Sequence, residues 1–184
     1  VTASDLSTLG GKTSGTVTVS NAVAITGSAA ELTAALVTTD SLVVASTATA
    51  TISDADGTAI DATELSAIGA KTTGTVTVTN AVNVTGTADE AVAALVTALT
   101  KVEVSDAVVT LSDDPDLTEL GSLNSATTNT IKINTQSKAY SGSAIALALA
   151  LEGTITDKSG QAFNGELTLT GENPSLSHVR TIND

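Results

Sequence analysis

The sequence predicts an α/β repeat fold, a solenoid in which short helices alternate with short parallel strands. Three observations predict it. First, residues 63–78 (Thr-Glu-Leu-Ser-Ala-Ile-Gly-Ala-Lys-Thr-Thr-Gly-Thr-Val-Thr-Val) restate residues 4–19, 59 positions later. A weaker copy runs over 119–133, and a fourth begins at His178-Val179-Arg180-Thr181-Ile182. The paired apolar residues Leu6/Leu9, Leu65/Ile68, Leu120/Leu123 and Val179/Ile182 recur at separations of 59, 55 and 59. Self-similarity at a fixed period marks a stacked array. Second, each copy joins a helix-like segment to a period-two run of Thr and Val. Third, the apolar 41% is nearly all Ala, Val, Leu and Ile, with one Tyr, one Phe and no Trp or Met. Thin side chains suit narrow, regular layers, whereas a large globular core usually relies on aromatic burial.

The elements follow in order. Thr16–Ser20 alternates as a strand, Asn21-Ala22 bends, and residues 23–27 read as a second strand. Ser28 with Glu31 three residues on is a capping-box pattern opening a helix over 28–37, with Leu32, Ala35 and Leu36 at helical spacing. A pair of strands follows at 41–45 and 48–53, then a turn at Asp54-Ala55-Asp56-Gly57. A short helix over 61–70 takes Thr63 as its cap. The second unit repeats this: strands 75–79 and 82–86, helix 87–99, strands 101–104 and 108–112, turn 113–116, helix 117–123. The third has strands at 130–134 and near 137–140, a helix over 142–152, and strands near 154–156 and 166–170. Residues 145–151 alternate Ile/Leu with Ala and fit a strand, but they occupy the slot of 88–95, and Ala and Leu favour helix. Asn173-Pro174-Ser175 opens a further helix.

A half-period lies inside each unit. Glu31–Leu36 resembles Glu64–Ile68, and Asp89–Leu95 resembles both, so the elementary coil is 26–33 residues. One coil cannot bury its Val and Ile alone, whereas stacked neighbours make a continuous core. The competing reading, tandem small β-rich domains of sandwich type, asks for about 100 residues per domain. The units are 1–59 (beginning within its first helix), 60–115, 116–174 and a truncated fourth from 175 to 184. Interrupted ends suggest a piece of a longer array without its caps.

Charge and composition narrow the function classes. Twenty Asp and Glu against seven Lys and Arg give −13, which argues against nucleic-acid binding, since that needs a basic footprint. Zero Cys excludes disulfides and thiol catalysis. The longest apolar run, 144–151, is too short to span a bilayer, so no membrane insertion is expected. Low charge (15%) with abundant Thr, Ser, Val and Gly suggests an extracellular or cell-surface bacterial protein.

The phrases Ala62-Thr63-Glu64-Leu65-Ser66-Ala67-Ile68, Ala81-Val82-Asn83-Val84-Thr85-Gly86-Thr87-Ala88 and Ala50-Thr51-Ile52-Ser53-Asp54 carry a resemblance. The unit resembles Thr/Ala/Val-rich repeats of very large surface or secreted proteins of marine bacteria, especially cyanobacteria. That resemblance implies an adhesin, filament or surface-layer role outside the cell. The nonapeptide Gly-Gly-x-Gly-x-Asp that accompanies calcium in that group does not occur here.

For chemistry, the acidic turns come first. Asp54, Asp56 and Asp61 alternate around Gly57, and Asp113, Asp114 and Asp116 stand at the matching place in the second unit. Such carboxylates suit an oxygen-loving ion such as Ca²⁺, although the spacing is not that of an EF-hand. The competing reading is turn formation with helix capping, for which Asp and Gly are favoured locally. In the third unit the place falls at Gly171-Glu172-Asn173. His178 is the only imidazole, next to Ser175 and Ser177, and reads as a surface residue. Gly10-Gly11-Lys12-Thr13 lacks the preceding spaced Gly of a phosphate loop and reads as a helix end.

The expected function is non-enzymatic, with no required cofactor. The chain reads as a structural or adhesive module that associates with itself or with neighbouring repeats. The alternative is a glycan- or protein-binding module using a strand-face row such as Thr77, Thr79 and Asn83, stabilised by calcium.

Overall fold

The computed structural model describes residues 1–171, so the helix expected at 173–175 and His178 lie outside the described residues. The protein is α/β. Among the described residues there are six helices: α1 (Ala3–Gly10), α2 (Ala29–Leu32), α3 (Ala62–Gly69), α4 (Ala88–Leu95), α5 (Leu117–Ala126) and α6 (Ala144–Leu151). A wider π-helical turn, Thr33–Val37, prolongs α2 to the expected end.

Each helix begins where its sequence offers a side-chain acceptor. Ser28 and Thr87 form capping boxes with Glu31 and Glu90, and Asp116 does so with Glu119. Thr2 caps α1, and Ser143 caps α6. At α3 the cap is Asp61, not Thr63: the carboxylate accepts both the Thr63 N–H and its hydroxyl. A carboxylate two residues earlier is the better acceptor for a positive helix end. α4 stops at Leu95, short of the expected residue 99. There Thr97 and Thr100 hydroxyls take the Val92 and Ala93 carbonyls that a longer helix would use. α5 runs three residues past the expected Leu123, to Ala126.

Twelve strands are described: β1 (Val17–Thr18), β2 (Ala24–Gly27), β3 (Val43–Val44), β4 (Thr49–Ile52), β5 (Ala59–Asp61), β6 (Val76–Val78), β7 (Asn83–Gly86), β8 (Val108–Leu111), β9 (Ile131–Ile133), β10 (Tyr140–Gly142), β11 (Ile155–Asp157) and β12 (Leu167–Leu169). β5 has no counterpart among the expected strands, because its three residues lie between an acidic turn and a helix. The expected strand at 101–104 reduces to a single bridge at Glu103. The expected pair 41–45 and 48–53 exists as β3 and β4, but the two do not bond to each other.

Every strand pair is parallel and reaches one coil along the chain. Ala24 stands opposite Thr49, Ala50 opposite Val76, Asn83 opposite Val108 and Val109 opposite Ile131. Parallel neighbours need a long crossover, and the short helices supply most of those crossovers.

Two ladders share one plan. The first runs Thr2, β2, β4, β6, Glu103, its outer members being single bridges. The second runs β5, β7, β8, β9, β11, and an antiparallel bridge from Thr156 to Ala162 lies on the outer side of β11. In both, the first two rungs run straight into helices, the third is followed by an acidic turn, and the last two follow helices. The remaining sheets are two-stranded, β1–β3 and β10–β12.

The helices pack in chain order, each against the next. Between helices and strands lies one continuous core from Ala3 to Ile155. Its largest fully buried members are Ile and Leu, with Ala filling the narrow places. Tyr140 takes the position of Ile25 and Val84, lies against Phe163 with centroids 5.7 Å apart, and donates to the Pro115 carbonyl at 3.2 Å.

Candidate functional site

The acidic turns connect the third rung of a ladder to the next helical coil. Gly57 has φ 75°, a left-handed conformation that glycine adopts without strain, and open space surrounds it. The turn therefore projects, and its carboxylates turn back onto the backbone.

All six candidate carboxylates accept backbone N–H groups. Asp54 Oδ2 accepts from Ala29 N, the first residue of α2, at 2.7 Å. Asp113 Oδ1 accepts from Ala88 N, the first residue of α4, at 2.8 Å. The two bonds are the same contact in successive units, each 25 residues long in sequence. Each helix thus begins with a Ser or Thr cap, a Glu reaching back, and a carboxylate from the neighbouring coil. Three otherwise orphan N–H donors are satisfied at one helix end.

Of the other four carboxylates, two tie turn to turn and two cap helices. Asp56 accepts from Ala81 N at 3.0 Å, and Asp114 from Thr135 N at 2.7 Å. Asp61 and Asp116 cap α3 and α5. The Asp54 carbonyl also accepts from Asn80 Nδ2 at 2.6 Å, a brace that the sequence reading missed. Asn129 makes a comparable bond to the Asp106 carbonyl at 2.9 Å. The signal was present, since Asn21 and Asn80 recur with the repeat.

The third unit departs from this pattern. Ser53, Ser112 and Thr170 donate to Gly27, Gly86 and Gly142 carbonyls in turn, which aligns Asp54 and Asp113 with Gly171. Gly171 has φ 100° and no side chain to reach α6. Nearby, Asp157 builds its own turn by accepting from Ser159 N, Ser159 Oγ and Gln161 N, all within 2.8 Å.

These bonds set the electrostatics. The Thr63 hydroxyl, then the Thr63 N–H, holds Asp61 below the usual carboxylate range. The Ser159 hydroxyl and the Gln161 N–H do the same for Asp157. At Glu119 the Asp116 N–H favours the charged form, but burial and the nearby charges of Asp116 and Asp89 outweigh it and raise the carboxyl. Among the described residues no three acidic or imidazole side chains converge as they would around a metal ion.

The strand-face row is also engaged in bonding. Thr79 Oγ1 donates to the Ile52 carbonyl at 3.2 Å, and Asn83 Oδ1 accepts from Thr110 Oγ1 at 2.8 Å. An open groove of about 500 Å³ beside β6 and α5 is lined by Thr77, Lys101, Glu103, Ser105, Ser122 and Ser125 among others. Its hydroxyls and single opposed charges can hold a polar ligand. Gly10 ends α1 and Gly11 is its C-cap, as the phosphate-loop alternative did not require. No helix is long and apolar enough to cross a membrane among the described residues. Comparison with protein-family models, with curated proteins and with solved structures finds no match to this chain.

Proposed function

We propose that the chain is a non-enzymatic structural or adhesive repeat module of a long extracellular bacterial protein, such as a surface layer, filament or adhesin stalk. Its coils stack as an α/β solenoid, and the module works by being stiff, acidic and extendable. One observation carries this reading: two ladders of five rungs follow the same plan, one repeat apart. The acidic turns support it, because their carboxylates join coil to coil. The composition and the resemblance of the repeat support the extracellular setting.

Small-angle scattering of the chain at low concentration tests the shape. Six helices in a row, about 9 Å apart, make a body about 55 Å long. A compact domain of this length has a radius of gyration near 16 Å and so a diameter of about 40 Å. A symmetric distance distribution ending near that smaller value would sink the proposal.

A second reading is favoured by the hydroxyl-lined groove: a module that holds a glycan or peptide beside β6. A glycan array that returns no ligand, with Lys101→Ala leaving surface adhesion unchanged, would remove it.

A further inference from the structure

We infer that the chain binds an extended peptide of a separate protein, a Lys or Arg followed by an apolar residue, as an added antiparallel strand along residues 102–104. This deepens the groove reading above, on which it rests, by naming the chemistry of what the groove holds.

The two five-rung ladders end differently. Thr77, the middle of β6, stands opposite Glu103, and Lys132, the middle of β9, stands opposite Thr156. β6 and β9 are both fourth rungs, so Glu103 and Thr156 hold the same place on the outermost one. At Thr156 the chain covers that outer edge itself. It turns at residues 158–160 and comes back antiparallel, with Ala162 opposite Thr156. The Asp157 N–H donates to the Gln161 carbonyl at 2.8 Å, and the Phe163 N–H donates to the Ile155 carbonyl at 3.1 Å. Phe163 is partly buried against the core.

At Glu103 the same backbone groups stand without a strand. Glu103 uses both of its own on β6: its N–H donates to the Val76 carbonyl at 2.8 Å, and its carbonyl accepts from the Val78 N–H at 2.9 Å. Alternation along an extended chain turns the Val102 carbonyl and the Val104 N–H the other way. These are the counterparts of the Ile155 carbonyl and the Asp157 N–H, and among the described residues neither has a hydrogen-bond partner. Val104 is buried, and a backbone donor there calls for an acceptor. The adjoining chain does not return to supply one. Past Val104 it runs on into β8, held by the Thr128 N–H on the Ser105 carbonyl at 2.8 Å and by Asn129 on the Asp106 carbonyl. Before Val102 it is built into α4, whose Ala94 carbonyl accepts the Val102 N–H at 2.8 Å. The covering strand therefore comes from elsewhere.

The groove gives that strand its chemistry. The 102–104 edge forms one wall and α5 the other, through Ser122 and Ser125. Leu95 and Val96 add apolar surface between them. An added strand in the register of 161–163 donates one N–H to the Val102 carbonyl and accepts the Val104 N–H, so main-chain bonds hold it whatever its sequence. Its central residue stands opposite Glu103, and the next, in the place of Phe163, turns inward toward the apolar lining. A Lys or Arg opposite Glu103 makes a favourable cross-strand pair. Charged residues on an edge bar indiscriminate pairing, so Glu103 makes the edge selective. The net charge of −13 attracts a basic segment and repels a second copy of this acidic chain.

The chain's own cover provides the probe. The peptide Ser-Gly-Gln-Ala-Phe-Asn-Gly reproduces residues 159–165, and its Ala162→Lys and Ala162→Glu forms differ only opposite Glu103. Backbone NMR of the full chain, titrated with each peptide, reads the Val104 amide. That amide is expected to exchange freely in the chain alone, and to shift and become protected when the Lys form is added. The Lys form should bind up to about fivefold tighter than the Ala form, the worth of one cross-strand ion pair. Glu103→Lys should reverse the order of the Lys and Glu forms. Val104→Pro removes the donor and, with circular dichroism unchanged, should abolish binding. If that variant does not fold, the reversal at Glu103→Lys decides alone. A Val104 amide protected in the chain alone at every dilution means that the chain covers its own edge, and protection that rises with concentration means that a second copy does. Either result overturns the proposal, as does an exposed amide that no peptide protects or an order that Glu103→Lys leaves unchanged. A glycan that perturbs the groove where the peptides fail would sink the peptide and keep the groove reading. The stacked-repeat reading stands or falls on scattering, whichever way the peptides behave.

Discussion

Asp54 and Asp113 reach across a coil to the first N–H of a helix that already has its own cap. Removing an acceptor from a helix end costs about 0.5–2 kcal/mol. Asp54→Ala and Asp113→Ala are therefore each expected to lower stability by about 1 kcal/mol, and Asn at either site should retain part of it. The sites serve different helices, so urea titration of the double variant should give the sum of the single losses. Asp61 carries a pH signature. Its carboxyl is held low by Thr63, so its contribution is present above the unfolded value of about 3.9 and is lost as pH falls through the lower folded value. Asp61→Asn should flatten that part of the acid limb of a stability-against-pH curve. Glu119 has the opposite sign: its raised carboxyl makes folding less favourable as pH climbs out of the acid range. Glu119→Gln keeps the capping box and should remove that loss.

At the scale of elements, the glycines that close α1 and α3 decide how near the coils come. A Cβ at Gly10 would lie 1.7 Å from the Ser41 carbonyl oxygen, and one at Gly69 would lie 2.2 Å from that of Thr100. Backbone cannot yield as a side-chain tip can. Gly69→Ala is expected to cost about 1–3 kcal/mol, the usual penalty of overpacking, and calorimetry should register it as a lower Tm. The third unit solves the same problem in reverse. Asn124 stands at that place and donates to the Leu149 carbonyl, while Gly153 provides the room. The hydroxyls of Ser41 and Thr100 bond to the Ala35 and Ala93 carbonyls and so close the preceding helix in each unit. The acidic turns belong here as well. Their carboxylates already hold N–H donors, so adding millimolar Ca²⁺ after chelation is expected to leave Tm unchanged. A ligand bound only to the folded state would raise it.

Across the whole molecule, the core of Ala, Val, Leu and Ile forms one cluster from Ala3 to Ile155. Each helix packs against the next in chain order, so damage in the middle disturbs two neighbours. Leu65→Ala and Leu120→Ala, both at fully buried sites, are expected to cost about 2–5 kcal/mol. Chemical denaturation should show the loss as an earlier midpoint.

Much of this was legible in the sequence, for identifiable reasons. The period of 59 and 55 residues exposed the repeat, and Ser28/Glu31 and Thr87/Glu90 marked helix starts through local hydrogen bonding that needs no distant partner. Residues 145–151 were ambiguous by pattern, and their place in the repeat assigned them to a helix, which α6 is. What stayed hidden depended on contacts a coil away. The role of Asp54 is decided by Ala29, 25 residues back, which no local pattern reveals. β5 needs β7 to exist as a strand, and the order in which rungs join cannot be read from alternation. The sequence by itself determined the repeat, the helix starts and the small-residue core, because these follow from local propensity and period. Only the tertiary structure decided which strands pair and what the carboxylates hold, because backbone donors find partners through space rather than along the chain.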